Sequence, residues 1–160
     1  MTTIRYTTVP SPVGELLLVA GAAGLRGLYL DRPAKDVEPS WRRDPGRFAE
    51  ERAQLKAYFG RELKDFAVAL DLDGTPFQLE VWTALQTIPY GSTFGYGQLA
   101  VQIGRSTAAR AVGGATGRNP VSIIVPCHRL VGVGGRLTGY AYGLGRKRAL
   151  LDLEAGVLQQ

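Results

Sequence analysis

Residues 96–117, Y-G-Q-L-A-V-Q-I-G-R-S-T-A-A-R-A-V-G-G-A-T-G, decide how this 160-residue chain is built. Tyr96–Ile103 reads as a short helix closed by Gly104. Ser106 stands where it can cap a second helix, Thr107–Thr116, which Gly117-Arg118-Asn119-Pro120 then breaks. Two short helices joined by a glycine-containing turn make a helix-turn-helix. The second of the pair is unusually slim. Gly113 and Gly114 are adjacent in its interior, where each costs about 1 kcal/mol relative to alanine, and Arg110 is its one long cation. Tight packing against another helix explains such a composition. Entry into a narrow groove explains it too: recognition helices normally use the major groove, but one this thin also fits a widened minor groove, where arginine is favoured.

Working outward, Thr75-Pro76-Phe77-Gln78 is a capping-box signature with proline at the first helical position. Phe77, Val81, Leu85 and Ile88 follow at helical spacing with Trp82 beside them, and Pro89-Tyr90-Gly91 ends the run. A last helix is expected over Gly145–Glu154, with Ala149, Leu150 and Leu153 inward. Before Asp71-Leu72-Asp73-Gly74 the pattern differs. Thr2–Val9, Glu15–Ala20 and Leu25–Leu30 are β-favouring runs separated by turn-forming segments, which predicts a three-stranded antiparallel meander. Residues 31–45 read as a loop in which Trp41 is an anchor. Gly46–Phe59 reads as a helix with Phe48, Leu55, Tyr58 and Phe59 inward, Glu50, Glu51, Arg52 and Lys56 toward water, and Gly60 as C-cap. Phe66, Val68 and Leu70 alternate, as in a weak further strand or an extended linker. The expected class is α+β: an N-terminal domain over 1–72 with a three-stranded antiparallel sheet plus helix, and a mostly helical C-terminal domain over 73–160 carrying the helix-turn-helix.

Apolar residues at 45% and charged residues at 21% are an ordinary globular balance, which excludes disorder over the whole length. No run of 18 apolar residues is present, so no membrane span or membrane partner is expected. The N-terminal residues lack a basic stretch followed by an apolar core, so no secretory signal is expected. One cysteine excludes an internal disulfide, and one cysteine with one histidine makes a His/Cys zinc site a poor expectation. These counts point to a cytoplasmic chain without a structural metal. The net charge of +5 is unevenly placed. Residues 81–151 hold eight basic side chains (Arg105, Arg110, Arg118, Arg129, Arg136, Arg146, Lys147, Arg148) and no Asp or Glu. A segment that excludes carboxylates this thoroughly suits a polyanionic partner.

The only cysteine stands beside the only histidine in Ser122-Ile123-Ile124-Val125-Pro126-Cys127-His128-Arg129-Leu130. A lone cysteine is most often a small buried hydrophobe. Here, however, the apolar run ends at Pro126, which puts Cys127 at the mouth of a core element. A reactive cysteine must become a thiolate and needs a proton acceptor. Adjacent side chains diverge in both strands and helices, so a water between Cys127 and His128 is the simpler geometry. A carboxylate behind the imidazole would fix its tautomer. With 81–151 free of acids, Glu80, Asp152 and Glu154 are the candidates, and spacing does not choose among them. Asn119, in the turn before Pro120, can lock local backbone. These residues also fit two other readings, a Cys–His hydrolase and a non-catalytic helix-turn-helix DNA binder with a structural cysteine.

I-I-V-P-C-H-R (Ile123–Arg129) resembles the active-site signature of the 6-O-alkylguanine-DNA alkyltransferases, also called methylated-DNA–protein-cysteine methyltransferases. F-x-x-x-V-W from Phe77 to Trp82, I-P-Y-G, Tyr96-Gly97-Gln98-Leu99-Ala100, A-A-R-A-V-G-G-A, Asn119-Pro120, T-G-Y and R-K-R-A-L-L-x-L-E carry the likeness over roughly residues 75–155. The first 70 residues match that family only in layout. The resemblance implies repair of 6-O-alkylguanine, chiefly methylguanine, in double-stranded DNA by irreversible transfer of the alkyl group to Cys127, once per molecule. In that scheme His128 takes the thiol proton through water, Glu154 stands behind it, Asn119 braces the site, and Tyr96 donates its hydroxyl proton to the guanine ring. DNA contacts fall to Arg110, which fills the gap left by a flipped nucleotide, and to Tyr96, Gly97, Arg105, Ala111, Gly113 and Gly114. Tyr96, Leu130, Tyr140, Ala141, Tyr142 and Lys147 are the implied base pocket. Tyr142 stands where several members have glycine, which would narrow the pocket against adducts as large as benzyl. No cofactor or metal is implied, since the ligands of the zinc-bearing members are missing, and the expected state is a monomer.

Overall fold

The computed structural model describes residues 3–32 and 37–156. The chain divides into two compact units, Met1–Asp73 and Gly74–Gln160, and the architecture is α+β.

In the first unit β1 (Arg5–Val9), β2 (Leu16–Ala20) and β3 (Leu25–Leu30) form an antiparallel meander. All five residues of β2 are buried, as befits the central strand of the three. The loop expected over 31–45 contains a further short strand, β4 (Arg42–Arg43), which pairs in parallel with β1 and gives the order β3-β2-β1-β4. The expected three-stranded antiparallel sheet is thus four-stranded and mixed. Two arginines carry no strand signal; the edge of β1 supplies one, through bonds from Arg42 N–H to Ile4 C=O and from Asp44 N–H to Tyr6 C=O, both 2.9 Å. Leu70 makes a single parallel bridge to Leu25, so the alternating 66–70 segment reaches the sheet only there. The expected helix resolves into a 3-10 turn, Pro45–Phe48, capped by Asp44, and α1 (Ala49–Phe59), closed at Gly60. Phe48, Leu55 and Tyr58 are inward as expected. Glu51 is not in water: it is buried, and Arg47 pairs with it at 3.1 Å. Thr2 and Pro33, assigned from sequence to a strand and a loop, lie outside the described residues.

The second unit begins at α2 (Pro76–Leu85), whose capping box is fully formed between Thr75 and Gln78. Val81, Trp82, Leu85 and Ile88 are buried. The Trp82 indole N–H donates to Ala115 C=O at 2.9 Å, fastening α2 to α4 (Ala109–Gly117). A short parallel pair, β5 (Phe94–Gly95) with β6 (Leu130–Val131), ties the start of α3 (Tyr96–Gln102) to the segment that follows the cysteine. Helices α3 and α4 pack together as the expected helix-turn-helix. Ser106 does not cap α4: the helix starts at Ala109 after Ala108 and has no side-chain cap. The turn Arg105–Ala108, closed by an N–H···O=C bond of 2.9 Å, delays the start by two residues. The last described element is α5 (Leu144–Ala155), whose buried residues are Lys147, Leu150 and Glu154, two of them charged. Ala149 and Leu153, expected inward, are only half-buried.

Candidate active site

The segment 121–131 is buried throughout, a hook that becomes strand only at β6. Asn119 shapes it. Its side-chain oxygen accepts from Val121 N–H at 3.0 Å and its amide donates to Val125 C=O at 2.8 Å, so one side chain closes both ends of the turn. Within that turn Ile123 takes φ of 73°, a conformation costly for a β-branched residue and typical of functional sites. The hook delivers Cys127 at the head of a 3-10 turn, Cys127–Arg129. Cys127 is 7% exposed and opens on a cavity of about 180 Å³ that is also lined by Tyr96, Gly113, Asn119, Ser122, Tyr140 and Tyr142.

Behind the sulfur lies a buried ionic relay. His128 is fully buried, and its Nε2 is 2.7 Å from Glu154 Oε2. Of the three acids open from sequence, Glu154 therefore backs the imidazole, while Glu80 pairs with exposed Arg105 at 3.3 Å. Arg129, counted from sequence with the basic surface, is buried and grips the same carboxylate. Its Nε donates to Oε1 at 2.8 Å, one terminal nitrogen to Oε2 at 3.0 Å, and the other to Ile88 C=O at 2.7 Å. Burial opposes ionisation of Glu154, but the hydrogen bonds from His128 and Arg129 outweigh it and hold the carboxyl down at about 2. Burial pushes His128 below its ordinary range, against the pull of Glu154. A neutral imidazole with Nε2–H donated to the carboxylate follows from this network. Nδ1 is then the acceptor, and among the described residues it has no hydrogen-bond partner. Burial likewise raises the Cys127 thiol, while Asn119, Ser122 and the Lys147 ammonium pull it down.

Lys147 is fully buried, and among the described residues no carboxylate acts on its ammonium. Its Nζ donates to Thr138 C=O at 3.1 Å and Gly139 C=O at 3.2 Å, and lies 6.0 Å from the Tyr96 ring centre. The Tyr96 hydroxyl donates to the same Thr138 carbonyl at 3.1 Å. Cys127, Asn119, Tyr96, Tyr140, Ala141 and Tyr142 thus meet at one cavity, and His128, the residue after Cys127, is bonded to Glu154. Leu130 does not join them: it is buried in β6 and lies off the cavity wall. Sequence reasoning missed Arg129 and Ser122. A planar five-donor cation immediately after the histidine was the available signal for the first; nothing marked the second. Among the described residues no group of three or more His, Cys, Asp or Glu could hold a metal ion, and no helix is long and apolar enough to cross a membrane.

Helix α4 presents its slim face outward. Arg110, Ala111, Gly114, Gly117 and Arg118 are exposed, a stripe of small residues with a cation at each end. A methyl added at Gly113 would meet the Tyr96 ring at an ordinary 3.7 Å, and one added at Gly114 or Gly117 would meet nothing within 4 Å. Internal packing therefore does not require these glycines. Gly97 is equally open, and Arg105, Arg136 and Arg148 are exposed as well.

A cysteine nucleophile backed by a histidine–carboxylate relay, beside a slim, basic helix-turn-helix, defines a covalent acceptor built to work on nucleic acid. Residues 76–156 match the model of the 6-O-methylguanine DNA methyltransferase DNA-binding domain, and residues 4–72 match the ribonuclease-like domain of the same enzymes. The chain belongs to the 6-O-methylguanine DNA methyltransferase family. It is 53% identical over 152 residues to the methylated-DNA–protein-cysteine methyltransferase of Mycobacterium bovis, covering 94% of this chain and 92% of that one. It is 48% identical over 151 residues to that of Methanosarcina acetivorans, covering 93% and 97%. Among solved structures, Mycobacterium tuberculosis OGT in complex with DNA superposes with a TM-score of 0.88 at 52% identity, over 95% of this chain and 93% of that one.

Proposed function

We propose that this chain repairs DNA by moving the alkyl group of 6-O-alkylguanine onto Cys127, irreversibly and once per molecule. The observation that carries the reading is the sulfur at the wall of a cavity with the His128–Glu154–Arg129 relay behind it. The thiol proton passes through a bridging water to Nδ1 of His128, the atom left to accept once Nε2–H is bonded to Glu154. The thiolate attacks the alkyl carbon in line, the S–C bond forms, and the C–O bond to guanine breaks. Tyr96 supplies a proton to the departing guanine anion. Lys147 places a buried positive charge beside the site where negative charge develops, which favours both the thiolate and the leaving group.

DNA is the partner, and the stripe on α4 supports minor-groove docking. The alkylated oxygen is inaccessible inside a duplex, so the nucleotide must leave the stack to reach Cys127, with Arg110 filling the space it vacates. Tyr142, on the cavity wall edge-on to Tyr140 at 5.8 Å, restricts adduct size. The chain acts as a monomer in this reading. The test is mass spectrometry after incubation with duplex DNA containing 6-O-methylguanine or 6-O-benzylguanine. Methyl DNA should add about 14 Da, one methyl for one hydrogen, to the peptide bearing Cys127, and the benzyl adduct should form far more slowly. An unmodified Cys127 after full exposure, or repeated turnover, overturns the proposal.

A further inference from the structure

The N-terminal unit holds a cleft that the chemistry at Cys127 does not use. It lies between the β1–β2 turn and α1, and at about 490 Å³ it is larger than the cavity in front of the sulfur. Its floor is core: Leu16 and Leu55 line it and are buried. Pro10 and Pro12 stand on one wall, and Arg52, Ala53, Lys56 and Phe59 on the other. The proline wall is stiff. Proline fixes its own φ, and Ser11 closes the turn between the two strands. Its hydroxyl donates to Gly14 C=O at 2.6 Å and accepts from Val13 N–H at 3.2 Å, while Gly14 N–H returns to Ser11 C=O at 3.1 Å. The helical wall carries the charge. Arg52 and Lys56 are exposed, and among the described residues neither stands in an ion pair. No carboxylate lines the cleft. A preformed apolar cleft with a few charged groups at its edge is the usual form of a binding site.

We propose that this cleft docks an extended acidic peptide segment of another protein, with carboxylates on Arg52 and Lys56 and an apolar side chain in the cleft. Charge and shape both select that partner. Arg52 and Lys56 are four residues apart on α1, so they are neighbours about 5–6 Å apart on its surface. Alternate residues of an extended chain are separated by about 6.6 Å and point to the same side, so two carboxylates at that spacing meet the two cations. The residue between them then points to the opposite side, toward the apolar floor and the proline wall. The helical wall runs from Ala49 to Phe59, about 15 Å at the α-helical rise, which accommodates four or five extended residues. A nucleic acid is a poorer match. Residues 1–72 hold 11 Lys/Arg against 10 Asp/Glu, so this unit has none of the acid-free field of residues 81–151 that suits a polyphosphate.

The experiment is fluorescence anisotropy on the full chain, with a labelled peptide that carries phenylalanine between two aspartates in a glycine–serine background. Two control peptides replace the aspartates with lysines or the phenylalanine with serine. Wild type should bind the acidic peptide saturably and each control roughly 10-fold more weakly. Arg52→Glu together with Lys56→Glu should lose roughly 10-fold for the acidic peptide and gain for the lysine peptide, a reversal that a merely structural role does not produce. Ala53→Phe, at an exposed helical position, should fill the cleft and weaken binding of the acidic peptide. Both variants should keep the thermal midpoint and the Cys127 alkylation rate of wild type. Amide chemical-shift changes on adding the acidic peptide should centre on Ser11, Ala53 and Phe59. Equal binding of the three peptides, unchanged binding by the charge-reversed variant, or shifts centred elsewhere each overturn the proposal. Displacement of the peptide by a thymidylate single strand overturns it in favour of nucleic acid. A wild-type dimer abolished by the charge reversal overturns it in favour of a second copy of this chain.

Discussion

Gly114→Ala separates folding from DNA binding with a single methyl group. Gly114 lies in the interior of α4, is exposed, has helical φ, and an added Cβ meets nothing within 4 Å. Nothing inside the protein resists the change, so helix propensity alone decides stability, and alanine gains about 1 kcal/mol. For a chain of this size that is roughly 2–4 °C in thermal midpoint. On DNA the sign reverses. Gly114 sits in the exposed stripe between Arg110 and Arg118, where a methyl holds the groove wall about 1–2 Å off the backbone and weakens neighbouring phosphate contacts. A loss of roughly 10- to 100-fold in affinity, about 1.4–2.8 kcal/mol, is expected. Differential scanning calorimetry and fluorescence anisotropy at one fixed salt concentration measure the two effects on the same sample. A variant that is more stable and binds DNA as tightly as wild type refutes the claim that α4 is thin for the sake of the groove.

Arg129→Met leaves the buried Glu154 carboxylate without two of its hydrogen bonds, and urea titration should show a loss of about 3–5 kcal/mol; a loss below 1 kcal/mol contradicts the clamp. Arg110→Ala should slow repair in duplex DNA far more than in single strands, because only the duplex needs its gap filled; equal losses in rapid-quench assays exclude that role. Glu154 lies at about 2 in the fold against an ordinary 4.5, so the stability it contributes is complete above pH 4.5 and lost as pH falls toward 2. His128 also lies below its ordinary 6.5, so the unfolded chain binds that proton first and stability starts to fall as pH drops below 6.5. Thermal midpoints should therefore be flat between about pH 7 and 8 and decline below 6.5, with Glu154→Gln removing the acid limb; midpoints unchanged down to pH 3 contradict this assignment.

The charge count and the structure disagree in an instructive way. Eight basic residues without a carboxylate look from sequence like one surface, yet Arg129 and Lys147 are buried. One neutralises a carboxylate for the relay and the other holds two carbonyls under the cavity. Six cations remain outside the core, and the slim helix lies among them. A composition argument counts charges but does not sort them by depth, because depth depends on which distant partner a side chain finds.

Local chemistry was legible. The capping box at Thr75–Gln78, the two helices of the helix-turn-helix, the meander in the N-terminal unit and the Cys127–His128 pair each follow from neighbours a few residues apart, where propensity and spacing act directly. Long-range pairing was not. Glu154 was one of three acids until a helix 26 residues downstream brought it 2.7 Å from His128. The fourth strand, of two arginines, exists because the edge of β1 offers bonds to it, and Ile123 holds φ of 73° because Asn119 closes the turn around it. By itself the sequence placed the only cysteine beside the only histidine and a slim, basic helix in a stretch free of carboxylates. Only the tertiary structure decided which carboxylate stands behind the imidazole and which cations face water, since burial and pairing are set where segments distant in the chain meet.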